Sequence, residues 1–213
     1  MQIVEEISAA LQGGKSKVVT ELVTKALGEG VSAKEILERG LLSGMGVIGE
    51  KFKKNEVYVP EVMIAARAMN AGAALLKSAL AGEGVESSGT VVLGTVKGDL
   101  HDIGKNLVRM MMEGKGLKVV DIGVDVPAEK FIETAKSENA QVIACSALLT
   151  TTMGEMKNVV EAANNAGLRD KLKIMIGGAP ITDDFRKSIG ADLYAPDAAS
   201  AADDAVNVCA GVA

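Results

Sequence analysis

The first part of the chain carries apolar side chains at the three- and four-residue spacing of amphipathic helices. Four such runs occupy residues 3–11, 18–27, 36–48 and 60–80. Ser32, with Glu35 three residues later, forms a capping-box pattern that predicts the start of the third helix. Pro60 fits the first turn of the fourth helix. Four amphipathic helices with short connections predict a helical bundle over residues 1–81.

The pattern changes after residues 82–89, a small, polar and glycine-rich stretch that is typical of a linker. Beyond it, short β-branched runs alternate with helical patterns. The strand candidates are 90–96, 118–124, 141–147, 173–176 and 192–194, and the helix candidates are 105–113, 128–137, 153–166, 183–188 and 198–210. This alternation predicts an α/β domain over residues 90–213, with a doubly wound, Rossmann/flavodoxin-like sheet of five parallel strands behind a four-helix cap.

Composition narrows the function classes. The 213 residues carry a net charge of −5 without a basic cluster, which argues against nucleic-acid binding. Only 2% of the residues are aromatic, so stacking surfaces and aromatic interface anchors are also disfavoured. No apolar run reaches the ~20 residues of a membrane span, the acidic start is unlike a signal peptide, and two cysteines give no disulfide framework. We therefore expect a cytoplasmic protein with no nucleic-acid or membrane partner.

The chain has a single histidine, which excludes sites that need several imidazoles. His101 lies in the loop after the first strand, two residues from Asp99. On extended backbone such a pair points the same way, so Asp99 can accept the proton of one imidazole nitrogen and leave the other as a metal ligand or a base. The alternative is an ordinary loop histidine beside a capping aspartate.

Two further loops are expected at the same edge of the sheet, because the carboxyl ends of parallel strands lie together. One carries the hydroxyl-rich run 146–152, and the other carries Gly177-Gly178. The two glycines either let a bulky ligand lie against bare backbone or form a tight turn. Thr152 is either part of this site or the N-cap of the following helix. Cys145, in a buried strand, is expected to be an inert thiol.

Three motifs in these loops resemble the cobalamin-binding signature of corrinoid proteins. They are Asp99-x-His101-x-x-Gly104, Ser146-x-Leu148 and Gly177-Gly178, separated by residues 105–145 and 149–176. Over residues 1–205 the chain is similar to the corrinoid proteins of methylamine, methanol and methoxyaromatic methyltransferase systems. It is also similar to the cobalamin-binding module of methionine synthase.

The resemblance implies that cobalamin or a related cobamide binds base-off, with His101 replacing the cofactor's own nucleotide base as lower axial ligand of cobalt. It implies that Asp99 holds His101 and that Thr152 extends this relay, which makes these three the expected catalytic positions. The implied cofactor-binding positions in the first loop also include Gly98, Leu100, Asp102, Ile103 and Gly104. The implied tunnel for the nucleotide tail is lined by Ser146, Leu148 and Thr150, has Gly177 and Gly178 as its floor, and ends near a tail contact at Ala198. The implied cofactor contacts in the helical cap are Phe52 and Val59.

The family's activity suggests a non-catalytic subunit that carries a methyl group on cobalt. The implied partners are a substrate-specific corrinoid methyltransferase, a second methyltransferase that acts on a thiol or folate acceptor, and a reductive activase. The main alternative is a cobalamin-binding sensor without methyl-transfer activity, although such sensors are normally fused to a signalling or DNA-binding module. A Rossmann dinucleotide site is disfavoured because Gly94, Gly98 and Gly104 lack the required spacing.

Overall fold

The computed structural model describes residues 2–83 and 87–211, which form two compact units. The first unit contains the chain up to Ser87 together with Gly114–Gly116. The second unit runs from Ser88 to Glu113 and continues from Leu117. The predicted linker falls partly on residues 84–86, which lie outside the described residues.

The first unit is helical, as its apolar periodicity predicts. Its elements are α1 (Gln2–Gln12), α2 (Ser16–Gly28), α3 (Ala33–Glu35), a π-helical segment (Ile36–Leu42), α4 (Ser43–Lys53) and α5 (Val59–Gly82). Helix α2 packs against α5, while α1 contacts α2, α4 and the π-helical segment. Ile7, Leu11 and Leu76 are fully buried, so the apolar faces of these helices form a common core.

The third predicted helix is continuous but changes its winding. Ser32 Oγ accepts a hydrogen bond from the Glu35 N–H at 3.2 Å, which confirms the predicted start. A second cap comes from far along the chain, because the Glu83 carboxylate accepts the N–H groups of Ala33 and Lys34 at 2.9 and 3.0 Å. The π-helical segment was not predicted, since an apolar repeat of three or four residues does not distinguish π from α winding.

One segment of α5 passes the length and composition test for a membrane span. The stretch Val59–Leu80 has a mean hydropathy of 1.2, which differs from the expectation that no apolar run reaches that length. The core helix of a soluble protein passes the same test. Val62, Ala65 and Leu76 are buried within the first unit, so α5 serves as a core helix there.

The second unit contains a five-stranded, all-parallel sheet in the order β2-β1-β3-β4-β5. The strands are β1 (Thr90–Thr95), β2 (Lys118–Asp121), β3 (Val142–Ser146), β4 (Lys173–Gly177) and β5 (Leu193–Ala195). The helices are α6 (Ile103–Glu113), α7 (Ala128–Ser137), α8 (Gly154–Asn165), α9 (Asp183–Ile189) and α10 (Ala198–Cys209). The predicted doubly wound α/β fold is confirmed.

Helices cover both faces of this sheet. Helices α7 and α8 pack on the face that presents Val92, Ile143 and Ile176, with Phe131 fully buried in the same cluster. Helices α6 and α10 pack against each other and contact β1 and β3. Since both faces are covered, the inner residues of β1, β3 and β4 are apolar and buried rather than alternating.

The strand order determines where a ligand can bind. The chain leaves β1 toward β2 and then returns past β1 to β3, so the winding reverses between β1 and β3. In open α/β sheets the crevice at such a switch point, beyond the carboxyl ends of the strands, is the usual ligand site. Thr95 at the end of β1 pairs with Ser146 at the end of β3, which places the two following loops side by side.

Candidate functional site

The loop after β1, residues 97–102, is called the histidine loop here, and hydrogen bonds to β1 and to the segment after β2 hold it in place. Thr95 is fully buried, and its hydroxyl donates to the His101 carbonyl oxygen at 2.8 Å. The Gly98 N–H donates to Asp125 Oδ1 at 2.7 Å, and the Asp125 N–H donates to the Asp99 carbonyl oxygen at 2.9 Å. The histidine loop is therefore held at both ends.

The Asp99 carboxylate joins the histidine loop to the loop after β3. Oδ1 accepts the His101 N–H at 3.0 Å and lies 2.7 Å from His101 Nδ1. Oδ2 accepts the Leu148 N–H at 2.8 Å and the Leu149 N–H at 3.3 Å. It also lies 2.9 Å from Thr152 Oγ1. Asp99 is fully buried, and each of these neighbours can act as a donor, as an ionised carboxylate requires.

The electrostatics of Asp99 result from two opposing effects. Burial by itself would raise the pKa of Asp99. Hydrogen bonds from the backbone N–H groups of His101 and Leu148 and from the side chains of His101 and Thr152 outweigh burial, and they hold the pKa well below its usual range. Asp99 therefore remains a carboxylate at neutral pH.

An ionised Asp99 determines which nitrogen of His101 carries the proton. Nδ1 donates to the carboxylate, so in a neutral imidazole the lone pair resides on Nε2. The side chain is 50% exposed, and Nε2 makes no hydrogen bond with any part of the chain at residues 2–83 or 87–211. The imidazole thus offers one oriented nitrogen lone pair. The same carboxylate also accepts the His101 backbone N–H, as the capping-aspartate alternative predicts.

Thr152 contributes to the site rather than to the helix cap. Helix α8 begins at Gly154 with Met153 at its N-cap, where no side chain caps the helix. Thr152 Oγ1 instead lies 2.9 Å from both Asp99 Oδ2 and the Leu149 carbonyl oxygen, so its single proton can be donated to either oxygen. The N-cap interpretation of Thr152 is wrong.

The two loops that Asp99 joins expose apolar side chains. Leu100 and Ile103 are 72% and 76% exposed, and Leu148 and Leu149 are 43% and 40% exposed. One exposed leucine needs no explanation, but four large apolar side chains beside a single imidazole indicate an apolar ligand or partner.

The space available for a side chain differs among the glycines of the predicted site. Gly178 has a φ of 132°, and a Cβ there would collide with the Ala147 carbonyl oxygen, so the turn itself requires glycine. A Cβ on Gly177 would lie 3.2 Å from the Ala195 carbonyl oxygen. A Cβ on Gly104, in contrast, would meet no atom within 4 Å. Packing therefore accounts for Gly178, whereas it gives no reason for a glycine at position 104.

The other predicted residues lie at varied depths. Asp102 and Thr150 are exposed, and Ser146 is half-buried at the end of β3. Ala198 is buried at the first position of α10. Phe52 and Val59 belong to the first unit, where both are partly exposed. Cys145 is buried, and burial raises the pKa of its thiol to about 12, as expected of an inert cysteine.

Sequence reasoning missed Thr95 and Asp125, which support the histidine loop, and Lys105, which supports the start of the following helix α6. Lys105 is buried and forms an ion pair with Asp121 at the end of β2, which attaches the start of α6 to the sheet. Asp125 follows β2, the other neighbour of β1, so the argument used for β3 and β4 would have identified it. Thr95 carried a weaker signal, a hydroxyl at the last position of an apolar strand.

The residues of the site suit a cofactor whose metal is already coordinated mostly by the cofactor itself. Within residues 2–83 and 87–211 no group of three histidine, cysteine or acidic side chains is placed to hold a metal ion. His101 instead offers a single nitrogen beside an apolar surface. A cofactor that already coordinates its own metal would need only one such ligand from the protein.

Comparisons with known proteins identify the family of the chain. Two family models match the chain, both described as a B12 binding domain, at residues 3–77 and 89–204. The chain is 46% identical to the dimethylamine corrinoid protein of Methanosarcina barkeri, over 94% of each chain. It is 42% identical to trimethylamine corrinoid protein 1 of Methanosarcina acetivorans, over 91% of this chain and 90% of that one.

A solved structure gives the same result. The chain is similar to a chain in the methanol:cobalamin methyltransferase complex of Methanosarcina barkeri, with a TM-score of 0.89 and 31% identity. The similarity covers 99% of this chain and 80% of that chain. Sequence, fold and site therefore lead to one conclusion: the chain belongs to the corrinoid proteins built from B12 binding domains.

Proposed function

We propose that this protein binds a cobamide and carries a methyl group on its cobalt between two methyltransferases. The observation that carries the proposal is the arrangement of His101, Asp99 and Thr152, which presents an oriented Nε2 beside exposed apolar side chains. The relatives support it, since they are corrinoid proteins named for methylamines and a chain of a methanol:cobalamin methyltransferase complex.

In this proposal the cofactor would be bound base-off, and His101 Nε2 would hold its cobalt in place of the cofactor's own nucleotide base. When bound, the corrinoid supplies a cobalt atom that accepts and releases a methyl group. Asp99 keeps the proton on Nδ1 and thereby keeps Nε2 available. Leu100, Ile103 and Leu148 provide apolar surface for a large macrocycle, and Gly104 allows it to approach the backbone.

The hydrogen bonds that join Thr152, Asp99 and His101 also fix the position of the imidazole proton. The carboxylate 2.7 Å from Nδ1 holds the imidazole proton on that nitrogen, which leaves Nε2 with its lone pair. Thr152 and the Leu148 N–H donate to the other carboxylate oxygen, so the negative charge stays hydrogen-bonded throughout. These residues would thus keep the imidazole in the form that can hold a cobamide, whose cobalt would supply the methyl-transfer chemistry.

The remaining assignments are parts of the same proposal. The tail of the cofactor would pass Ser146, Leu148 and Thr150, with Gly177-Gly178 beneath it and Ala198 at its end. Phe52 and Val59 would shield the methyl face, which their partial exposure in the first unit allows. The domains would be residues 1–81 and 90–213, joined by 82–89.

The proposed partners are a substrate-specific corrinoid methyltransferase, a methyltransferase for a thiol or folate acceptor, and a reductive activase. The methyltransferase complex that contains a similar chain supports the first of these. We also propose a role as a non-catalytic subunit, because the reacting methyl donor and acceptor would bind to the partner enzymes. The proposed location is the cytoplasm.

The binding test is a visible absorption spectrum of the full chain after anaerobic loading with a methylated cobamide at neutral pH. We expect about one corrinoid per chain with a nitrogen lower ligand, and loss of that ligand in His101→Ala. Added imidazole should restore the spectrum of this variant, while Thr151→Ala, a change at an exposed neighbour, should resemble the wild type. A wild-type chain that retains no corrinoid would overturn the proposal.

The carrier role needs a separate measurement. The chain is loaded with cobamide that carries a radiolabelled methyl group and is mixed with a thiol methyltransferase and its thiol. Transfer of the label to the thiol supports a carrier. Retention of the label on a correctly loaded chain, with every candidate acceptor enzyme, would favour the sensor alternative.

A further inference from the structure

Asp125 makes an unusual pair of contacts with the histidine loop. Its side chain accepts the Gly98 N–H at 2.7 Å, and its own N–H donates to the Asp99 carbonyl oxygen at 2.9 Å. The backbone of Asp125 has a φ of 54°, a conformation that aspartate, asparagine and glycine tolerate better than other residues. Next to it, the Val126 N–H donates to the Thr95 carbonyl oxygen at 3.0 Å, so the segment is fixed to β1.

These contacts lie close to Asp99, the residue whose carboxylate orients the imidazole. Aspartate has a short side chain, so the position of its carboxylate follows the backbone closely. Asp125 holds this backbone at two points, because it accepts the N–H of the preceding Gly98 and donates its own N–H to the Asp99 carbonyl oxygen. After Asp99, the Thr95 hydroxyl holds the His101 carbonyl oxygen. A shift of Asp99 would lengthen the 2.7 Å contact between Oδ1 and Nδ1.

We propose that Asp125 is a positioning residue that sets the tautomer of His101. By holding Gly98 and the Asp99 carbonyl, it keeps Oδ1 against Nδ1, and the lone pair therefore stays on Nε2. The inference deepens the proposed function and depends on it for its biological meaning, since Nε2 is the proposed cobalt ligand. Asp125 acts entirely through Asp99, and no direct contact with the cofactor is part of the proposal.

The positive φ makes a selective substitution available. Asp125→Gly keeps the backbone conformation and the N–H donor but removes the oxygen that accepts the Gly98 N–H. Asp125→Asn retains an oxygen acceptor and tolerates the same φ. The two variants therefore separate loss of the hydrogen bond from loss of the charge.

The chain's single histidine makes the readout unambiguous. The full chain, without cofactor, is labelled with ¹⁵N in the imidazole, and the nitrogen chemical shifts are measured at a pH where the ring is neutral. We expect mainly the Nδ1–H tautomer in the wild type. In Asp125→Gly we expect the ratio of Nδ1–H to Nε2–H to fall about two- to tenfold, together with faster exchange of the Gly98 amide hydrogen. Asp125→Asn should retain the wild-type ratio.

An unchanged tautomer ratio in a folded Asp125→Gly chain would overturn the inference. If Asp125→Gly does not fold, a folded Asp125→Asn chain with a lowered ratio would overturn it equally, because the acceptor oxygen would be present without effect. Absorption spectra of cobamide-loaded chains then separate the two proposals. A wild type that binds no corrinoid refutes the proposed function, while the tautomer measurement on the cofactor-free chain still tests the role of Asp125.

Discussion

At the scale of single residues, Asp99 shows how one buried charge organises two loops. A buried carboxylate without partners would be strongly unfavourable, so its presence requires donors from all sides. The donors come from the histidine loop and from Leu148, Leu149 and Thr152 of the next loop, far away along the chain. The side chain that orients the imidazole is therefore also a structural link, and a substitution there affects both.

Replacement of Asp99 by asparagine is expected to lower the free energy of unfolding at neutral pH by about 1–3 kcal/mol, because the amide NH₂ then faces hydrogen-bond donors. The pKa of Asp99 is lower in the folded chain than in the unfolded one, so its stabilising contribution is complete above the unfolded value of about 3.9. It is lost as the pH falls toward the folded pKa.

Urea unfolding between pH 8 and pH 2 measures this effect. The difference between wild type and Asp99→Asn should stay constant down to about pH 5 and shrink below about pH 4. Asp184→Asn, at a side chain that is 97% exposed, is the matched control and should change stability by less than about 0.5 kcal/mol. A difference that grows as the pH falls would contradict the assignment of an ionised Asp99.

The two cysteines should differ in reactivity. Cys145 is buried with a pKa of about 12, whereas Cys209 is partly exposed with a smaller upward shift of its pKa from burial. In the folded protein at pH 8, iodoacetamide should label Cys209 slowly and Cys145 only after denaturation, as followed by mass spectrometry of the wild type and Cys209→Ser. Labelling of Cys145 at the rate of Cys209 would show that β3 opens in the native state.

At the scale of elements, the site is built from the ends of strands. β1, β2 and β3 are adjacent and parallel, so their carboxyl ends bring His101, Asp125 and Leu148 to one edge. The loops fit together closely, and glycine is placed where backbone meets backbone. The turn after β4 is the clearest case, because Gly178 lies against the Ala147 carbonyl of the loop after β3.

Opposite effects on stability are expected for two glycine-to-alanine changes. Gly178→Ala should destabilise the chain by about 1–3 kcal/mol, since the new Cβ both collides with Ala147 and occupies a left-handed φ. Gly104→Ala, at the second position of α6 with open space around it, should stabilise the cofactor-free chain by up to about 1 kcal/mol. Thermal unfolding of both variants measures this.

The effect of Gly104→Ala on corrinoid binding is measured separately from its effect on stability. If the bare backbone at Gly104 serves cofactor approach, Gly104→Ala should weaken corrinoid binding although the chain itself is more stable. Equal affinity of Gly104→Ala and wild type in a corrinoid titration would show that glycine is not needed there for the ligand.

At the scale of the whole molecule, the chain divides into a helical unit and an α/β unit. Each has its own buried core, formed by residues such as Ile7, Leu11 and Leu76 in the first unit and Val92, Phe131 and Ile143 in the second. Two separate family models, each described as a B12 binding domain, match these parts of the chain. The two cores and the two family matches thus divide the chain into the same two parts.

Limited proteolysis tests the proposed domain boundaries. A glutamate-specific protease should cleave first at Glu86, within the proposed linker 82–89, and release a fragment that contains residues 90–213. This fragment should unfold cooperatively in thermal denaturation followed by circular dichroism, because it contains the entire sheet and its helices. First cleavage inside either proposed domain, or a fragment that melts without a transition, would contradict these boundaries.

The periodicity of the sequence was sufficient for the helices, the strands and their order along the chain, because burial of an apolar face imposes a spacing that can be read locally. The motifs around Asp99, Ser146 and Gly177 were likewise local, and the family they indicated is confirmed. The capping of α3 by Ser32 could also be predicted from neighbouring residues.

Only the tertiary structure determined which groups meet. The capping of α3 by Glu83 and the contact between Asp125 and Gly98 join residues that are distant in sequence, and the structure also decided between the two interpretations of Thr152 in favour of Asp99. Hydrogen bonds of this kind depend on helix packing in the first unit and on strand order and register in the second, which no local pattern encodes. The sequence thus determined the elements and the chemistry available at their ends, and the packing of the sheet determined how that chemistry is oriented.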